Sequence, residues 1–160
     1  MLALLLHGCY HIDMTLKGEY KPSPSDWVRE QVEQYELSGG KEANTLRDTG
    51  LPIIIVTTRG RKSGKLRKNP VMKVEHDGEY AIIASKGGAP SHPEWYYNIV
   101  ADPEAVMIQD GPEPFDVVVR EVFGDERENW WKRAVEAFPP YAEYSEKTSR
   151  TIPVLVARRR

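Results

Sequence analysis

NPVMKVEHDGEYAIIASK, Asn69–Lys86, sets two apolar-rich runs on either side of Asp77-Gly78. Asp-Gly is the dipeptide that a two-residue hairpin turn takes most readily, because both central residues of such a turn need a positive φ. The stretch therefore predicts two antiparallel strands, NPVMKVEH and EYAIIASK, and it makes the chain a β protein at its centre. Just upstream, LPIIIVTT (Leu51–Thr58) is a β-branched run too short for most helices, the pattern of a buried strand. Downstream, EAVMIQ and FDVVVREV are joined through the turn-rich DGPEP, and TIPVLVAR adds a last run, for six strands in all.

Helical periodicity occupies the spaces between these runs. After KPSP, Val28, Val32 and Tyr35 recur at helical spacing between a possible cap, Ser25, and the breaker Gly39-Gly40. Ser91 with Glu94, and Asp125 with Glu128, read as capping boxes ahead of WYYNIV and ENWWKRAVEAF, with Trp131, Val135 and Phe138 along one face of the latter. Pro139-Pro140 restarts a turn that sets Tyr141 and Tyr144 on one side. Short antiparallel strands with helices inserted between them imply a small barrel wrapped by helices.

The chain has 160 residues, 40% hydrophobic and 29% charged, with a formal net charge of −2. That is one domain of ordinary soluble composition. We read residues 1–20 as an N-terminal extension, with Met14 offering a second start, and residues 21–160 as a single domain. The single cysteine, Cys9, allows no internal disulfide, and the scattered histidines at 7, 11, 76 and 92 have no zinc-ligand spacing, so no metal is expected. The N-terminal MLALLL run is far shorter than the roughly 20 residues of a membrane span. A cytoplasmic protein is expected.

Against that neutral background TTRGRKSGKLRKNP, Thr57–Pro70, holds six cations and no acid in fourteen residues. Like charges at this density repel unless something anionic docks among them. Gly60 and Gly64 let backbone amides approach a ligand, Arg supplies paired donors and Lys a point charge. A solvated hairpin turn would carry the same charges, so the stretch by itself leaves the ligand open. Lys86, Gly87 and Gly88 in ASKGGAP could form an anion-binding nest of amides or a plain strand-to-helix turn. Trp95, Tyr96 and Tyr97 in HPEWYYN could stack on a ligand or fill the core. Nucleic acid is disfavoured by the slightly negative net charge and the absence of a reading motif.

Taken in order, TTRGRKSGKLRKNP, ASKGG, HPEWYYN, AD-P, FPPYAEY and RTIPV resemble the deazaflavin (coenzyme F420)-dependent nitroreductase and quinone reductase family of actinobacteria, over about Lys21 to Val156. The resemblance implies a split β-barrel related to the flavin-reductase and pyridoxamine-phosphate-oxidase folds, with F420 in a groove. F420 carries a phosphate and a glutamate tail, which would answer to the cations. Carried over by motif, the cofactor-binding residues are Arg61, Lys62, Ser63, Arg67, Lys68, Asn69 and Pro70 of the basic stretch, Ser85, Lys86, Gly87 and Gly88 of SKGG, and Trp95 and Tyr96. The family's Y-P-P-Y-x-x-Y segment reads Phe138 to Tyr144 here, with one hydroxyl lost at Phe138, and a second aromatic position is Met72. By position Tyr141, Tyr144 and Ser85 are the catalytic candidates that would serve the acceptor after hydride transfer. The implied acceptors are flat and electron-poor: quinones, nitroaromatics, activated enones or lactones. Competing readings are an FMN-dependent oxidoreductase on the same fold and a non-enzymatic F420 carrier, with the chain a monomer or homodimer. A membrane-embedded quinone would also call for transient contact with an anionic membrane surface, where Leu2–Leu6 and a frayed Arg158-Arg159-Arg160 tail are the available features.

Overall fold

The run Ile53-Ile54-Ile55-Val56 is apolar on both faces because the strand it forms has core on both sides. In the computed structural model, which describes residues 16–160, β1 (Ile53–Arg59) sends Ile53 and Ile55 into one apolar cluster and Ile54 and Val56 into another. All four are nearly inaccessible to solvent, and burying each such side chain contributes about 1.5–3 kcal/mol. The first cluster is covered by helices α1 (Asp26–Leu37), α3 (Gly124–Ala137) and α4 (Pro140–Lys147) through Val32, Tyr35, Trp130, Ala134, Phe138 and Tyr141. The second is covered by α2 (Glu94–Ala101) through Ile99.

Seven strands make one antiparallel sheet in the order β2-β1-β5-β6-β7-β4-β3. The others are β2 (Leu66–Met72), β3 (Glu75–His76), β4 (Glu79–Ile83), β5 (Val106–Gln109), β6 (Pro114–Glu121) and β7 (Val154–Arg159). Because β2 and β3 follow each other in the chain yet sit at opposite ends of the order, the sheet must curl. Val71 of β2 accordingly packs in the same cluster as Tyr80 and Ile82 of β4. Asp110 seals the approach, taking the Tyr80 hydroxyl at 2.8 Å and the Lys73 ammonium at 2.8 Å. The result is the split barrel with helices that the sequence implied.

Some boundaries differ from the sequence reading. The run NPVMKVEH is two strands, not one: β2 ends at Met72 and β3 pairs only Glu75 with Tyr80 and His76 with Glu79. The Asp77-Gly78 turn forms as expected, with φ of 51° and 80°. Ser25 stands at the N-cap of α1 as expected, though it makes no side-chain cap bond; the other two caps differ, with Pro93 rather than Ser91 preceding α2, and Asp125 inside the first turn of α3, whose N-cap is Phe123. Trp130, not Trp131, is the buried indole of α3; Trp131 and Val135 are only partly covered. Leu16 is buried beside Leu66, Ala105 and Met107. The terminal arginines are not a frayed tail: Arg158 and Arg159 pair with Val118 and Val117 in the sheet, and Arg160 N–H donates to the Asp116 carbonyl. Leu2–Leu6, His7, Cys9 and His11 lie outside the described residues.

Candidate functional site

The basic stretch is a hairpin rather than a loop. Thr57 pairs with Lys68, Thr58 with Arg67 and Arg59 with Leu66, so Arg67 and Lys68 project from β2 while Gly60–Lys65 form the turn. Within the turn Gly60 N–H donates to Lys65 O at 2.7 Å and Gly64 N–H to Gly60 O at 2.8 Å. Gly64 has φ of 72°, and a Cβ on Gly60 would stand 2.9 Å from Ser63 Oγ. Gly64 is thus called for by its left-handed backbone, while at Gly60 a Cβ would displace the Ser63 hydroxyl.

Four of the six cations are paired within the protein: Arg59 with Asp102 at 3.8 Å and Lys65 with Glu19 at 3.7 Å, and Arg61 and Lys68 as closer ties to the helices. Asn98 of α2, buried, accepts at Oδ1 from Arg61 N–H (3.1 Å) and Arg61 Nη1 (3.2 Å), while its Nδ2 donates to Thr58 Oγ1 at 3.2 Å. Arg61 also pairs with Glu94 Oε2 at 2.9 Å and lies over the Tyr97 ring. The Arg61 hydrogen bond, then the Arg61, Lys62 and Lys86 charges, hold the Glu94 carboxyl below its usual pKa. Lys68 ties β2 to α1 through Glu36 at 2.6 Å and lies over Tyr20. Lys21, Lys62, Arg67 and Lys86, by contrast, have no ion-pair partner among the described residues.

These four cations line one cavity of about 470 Å³ together with Arg61, Ser63, Lys68, Asn69, Trp95 and Asn98. Eight of the residues expected to bind a cofactor thus meet there: Arg61, Lys62, Ser63, Arg67, Lys68, Asn69, Lys86 and Trp95. Sequence reasoning missed Lys21, Ser23 and Pro24, which reach the rim because Lys21 N–H donates to Leu66 O at 3.0 Å and draws the N-terminal arm along β2. It also missed Glu94 and Asn98, whose signal lay in their own i,i+4 spacing, which sets them on one face of α2.

The remaining expected residues lie outside the cavity lining. Pro70 faces Ile55 in the β1–β2 ladder. Tyr96 turns its hydroxyl to Glu121 Oε1 at 2.5 Å, and burial, followed by that bond, pushes its pKa up to about 12. Tyr141 is 4% exposed in the core, where burial raises the phenol's pKa and keeps it protonated. Tyr144 is partly covered beside Phe138 and Tyr141, with ring centroids 6.0 and 6.2 Å away. Ser85 is buried.

Of the two forms open to SKGG, an amide nest or a plain turn, the segment takes the turn. Gly88 N–H donates to Ser85 O and Ala89 N–H to Lys86 O, so these amides close a left-handed turn in which Lys86, Gly87 and Gly88 have φ of 46°, 64° and 82°. Gly88 is needed for a second reason: a Cβ there would lie 2.8 Å from Tyr144 O. The turn therefore carries α4 on its back while Lys86 reaches the cavity.

Arg150, also missed, organises this segment. Its guanidinium donates to Ser85 O (2.6 Å), Ala89 O (2.8 Å) and Ala84 O (3.1 Å), and stands 2.8 Å from His92 Nδ1. Burial and then the Arg150 charge depress the His92 pKa.

The described residues offer no helix long and apolar enough to cross a membrane and no cluster able to hold a metal. Residues 27–159 match the family model described as F420H(2)-dependent quinone reductase. An F420H(2)-dependent quinone reductase of Mycobacterium tuberculosis is 35% identical over 112 residues, 68% of this chain and 74% of its own length. A solved F420-H2 dependent reductase (FDR-A) is 56% identical, with TM-score 0.63 over 67% of this chain and 94% of that one. A second structure, a domain-swapped dimer, is 52% identical, with TM-score 0.65 over 85% of this chain and all of that one. A heme-binding protein of Mycobacterium smegmatis, 18% identical with TM-score 0.54 over 78% of this chain and 50% of that one, shares the fold alone.

Proposed function

The chain belongs to the F420H(2)-dependent quinone reductase family, an oxidoreductase family whose hydride donor is reduced F420, and on that premise we propose that the cationic cavity is its cofactor site and quinones are its acceptors. The observation that carries this is the convergence of Lys62, Arg67 and Lys86, none of them in an ion pair among the described residues, on one cavity beside Trp95. Three such cations suit a ligand with a phosphate and several carboxylates.

When bound, reduced F420 supplies a hydride, and the organic chemistry of the transfer is its own. The chain's task is to bind, orient and keep water out. Lys62, Arg67 and Lys86 take the phosphate and tail carboxylates, with Lys21 at the rim. Arg61 and Lys68 act mainly as struts that hold the hairpin on α2 and α1. Trp95 offers a flat apolar wall. Of the residues considered for the acceptor, Tyr144 suits proton donation best, because it is only partly covered while Tyr141 and Ser85 are buried, and α4 rests on the Lys86–Gly88 turn. Tyr141 and Ser85 support that position from the core. Among flat electron-poor compounds, nitroaromatics, enones and lactones would enter the same slot.

The test is a fluorescence titration of F420. Each charge-assisted contact contributes about 1.5–3 kcal/mol, so Lys62→Ala and Arg67→Ala should each weaken binding by roughly 10- to 150-fold. Unchanged affinity in both would refute the site. Assembly as a homodimer is proposed by likeness to the 52%-identical swapped dimer, and a single monomeric species in sedimentation at micromolar concentration would refute it. For lipophilic quinones we further propose brief contact with anionic membrane at the cytoplasmic face, through Arg158 at the end of β7. Weak, salt-sensitive co-sedimentation with anionic but not neutral vesicles is expected, and no binding at low salt would refute it.

A further inference from the structure

We infer that Arg150 is a positioning residue for cofactor binding: by gripping the segment Ala84–His92 it presets the left-handed turn that delivers Lys86 to the cavity. The inference rests on the reading of that cavity as the F420 site.

Lys86 has φ of 46°, a conformation that an L side chain rarely adopts, and the two residues after it, both glycines, are also left-handed. Such a turn persists only where its surroundings over-determine it. Two backbone hydrogen bonds close it, Gly88 N–H to Ser85 O and Ala89 N–H to Lys86 O. Its own side chains add little: Lys86 Nζ stands 3.4 Å from Ser91 Oγ. Arg150 supplies the rest from some 60 residues away in sequence. Its fork takes the carbonyls on both sides of the turn, Ala84 and Ser85 before it and Ala89 after it, and adds the His92 ring.

The chemistry of the residue fits that task. Three carbonyls and a ring nitrogen are all acceptors, and guanidinium is the side chain with enough fixed donors to serve four at once. The charge is not neutralised by any carboxylate among the described residues. None of Arg150's hydrogen bonds goes to a residue of the cavity lining, so apart from its charge its influence on a bound anion passes through the turn. Lysine at this position would keep the charge and lose the fork.

The experiment is a double-mutant cycle with Arg150→Lys and Lys86→Ala, reading the Kd for F420 by fluorescence at low and moderate salt. Each single change should weaken binding by about tenfold, and the double variant should be no weaker than the worse single, because removing Lys86 leaves Arg150 nothing to position. Additive losses, or a loss in Arg150→Lys with none in Lys86→Ala, would overturn the inference while leaving the cofactor site standing. A second measurement is independent of the cofactor. Hydrogen exchange at the Gly88 and Ala89 amides should quicken at least tenfold in Arg150→Lys, with the amides of Ile54 and Val56 in β1 unchanged. Equal protection in the wild type and the variant would overturn the inference even if F420 binds. Should F420 fail to bind the wild type, the functional reading falls, and the exchange result still decides what Arg150 holds.

Discussion

Single side chains at this site divide into those that would meet a ligand and those that hold the ones that do. Asn98 belongs to the second group: it accepts twice from Arg61 and donates to Thr58 from a buried position. Asn98→Ala would leave these partners without replacement, and a loss of about 1–3 kcal/mol is expected in a thermal or denaturant melt. A melt indistinguishable from wild type would show that water serves instead. Glu94 is the single acid in the cavity lining. Glu94→Gln should tighten F420 binding severalfold, because it removes the one negative charge in the lining that repels a bound anion, and weaker binding in the titration would contradict this. As residue types Arg61 and Lys68 read like Lys62 and Arg67 along the chain; the family resemblance puts Lys62, Arg67 and Lys86 on phosphate and tail with Arg61 and Lys68 close by, and Glu94, Asn98 and Glu36, brought in by helices from elsewhere, show what those two hold. Arg150 was legible as part of RTIPV and no more, since its acceptors are backbone carbonyls, which no residue type reveals.

At the scale of elements, strands were read well because apolar runs and turn dipeptides are local signals. Val74 is buried between the short β3 and Met72, which is why one apparent strand continued through a bend. Of the helix starts, Ser25 marks that of α1 without a side-chain bond, whereas Ser91 and Asp125 have the spacing of capping boxes but do not stand at the caps of α2 and α3. Phe138 and Tyr141 followed helical spacing into the core, so the residues taken as acceptor-side proved partly structural. The Lys86–Gly88 turn gives a clean comparison. Gly87→Ala meets open space and only the left-handed backbone, and should cost about 1–2 kcal/mol. Gly88→Ala adds a clash with the Tyr144 carbonyl, so its melting temperature should fall further and α4 should shift. Equal melting temperatures for the two variants would mean that α4 moves aside freely.

Over the whole molecule, stability should depend on pH through His92. Its pKa in the folded protein lies below the ordinary value because of burial and Arg150, so the unfolded chain takes up its proton first. The contribution is therefore fully present above the ordinary histidine pKa, about 6.5, and is lost as pH falls through the folded value. The melting temperature should drop between about pH 7.5 and about pH 5.5 by more in the wild type than in His92→Asn, which keeps an acceptor but does not titrate. Parallel pH curves would remove His92 from the account. The order of the sheet has a consequence for how the protein is made. β7, seventh of the seven strands in chain order, is a middle strand, flanked by β6 and β4. Until it emerges, the hairpin bearing Lys62 and Arg67 can form on β5 and β6, while β3 and β4, with Lys86 just beyond, have only each other. Until β7 is made, the nascent chain thus carries half a site and two bare strand edges, and both are completed by one event that also brings in Arg150. Slow translation before β7 would lengthen exposure to unwanted pairing, and the cofactor would be a ligand only for chains in which β7 has joined the sheet.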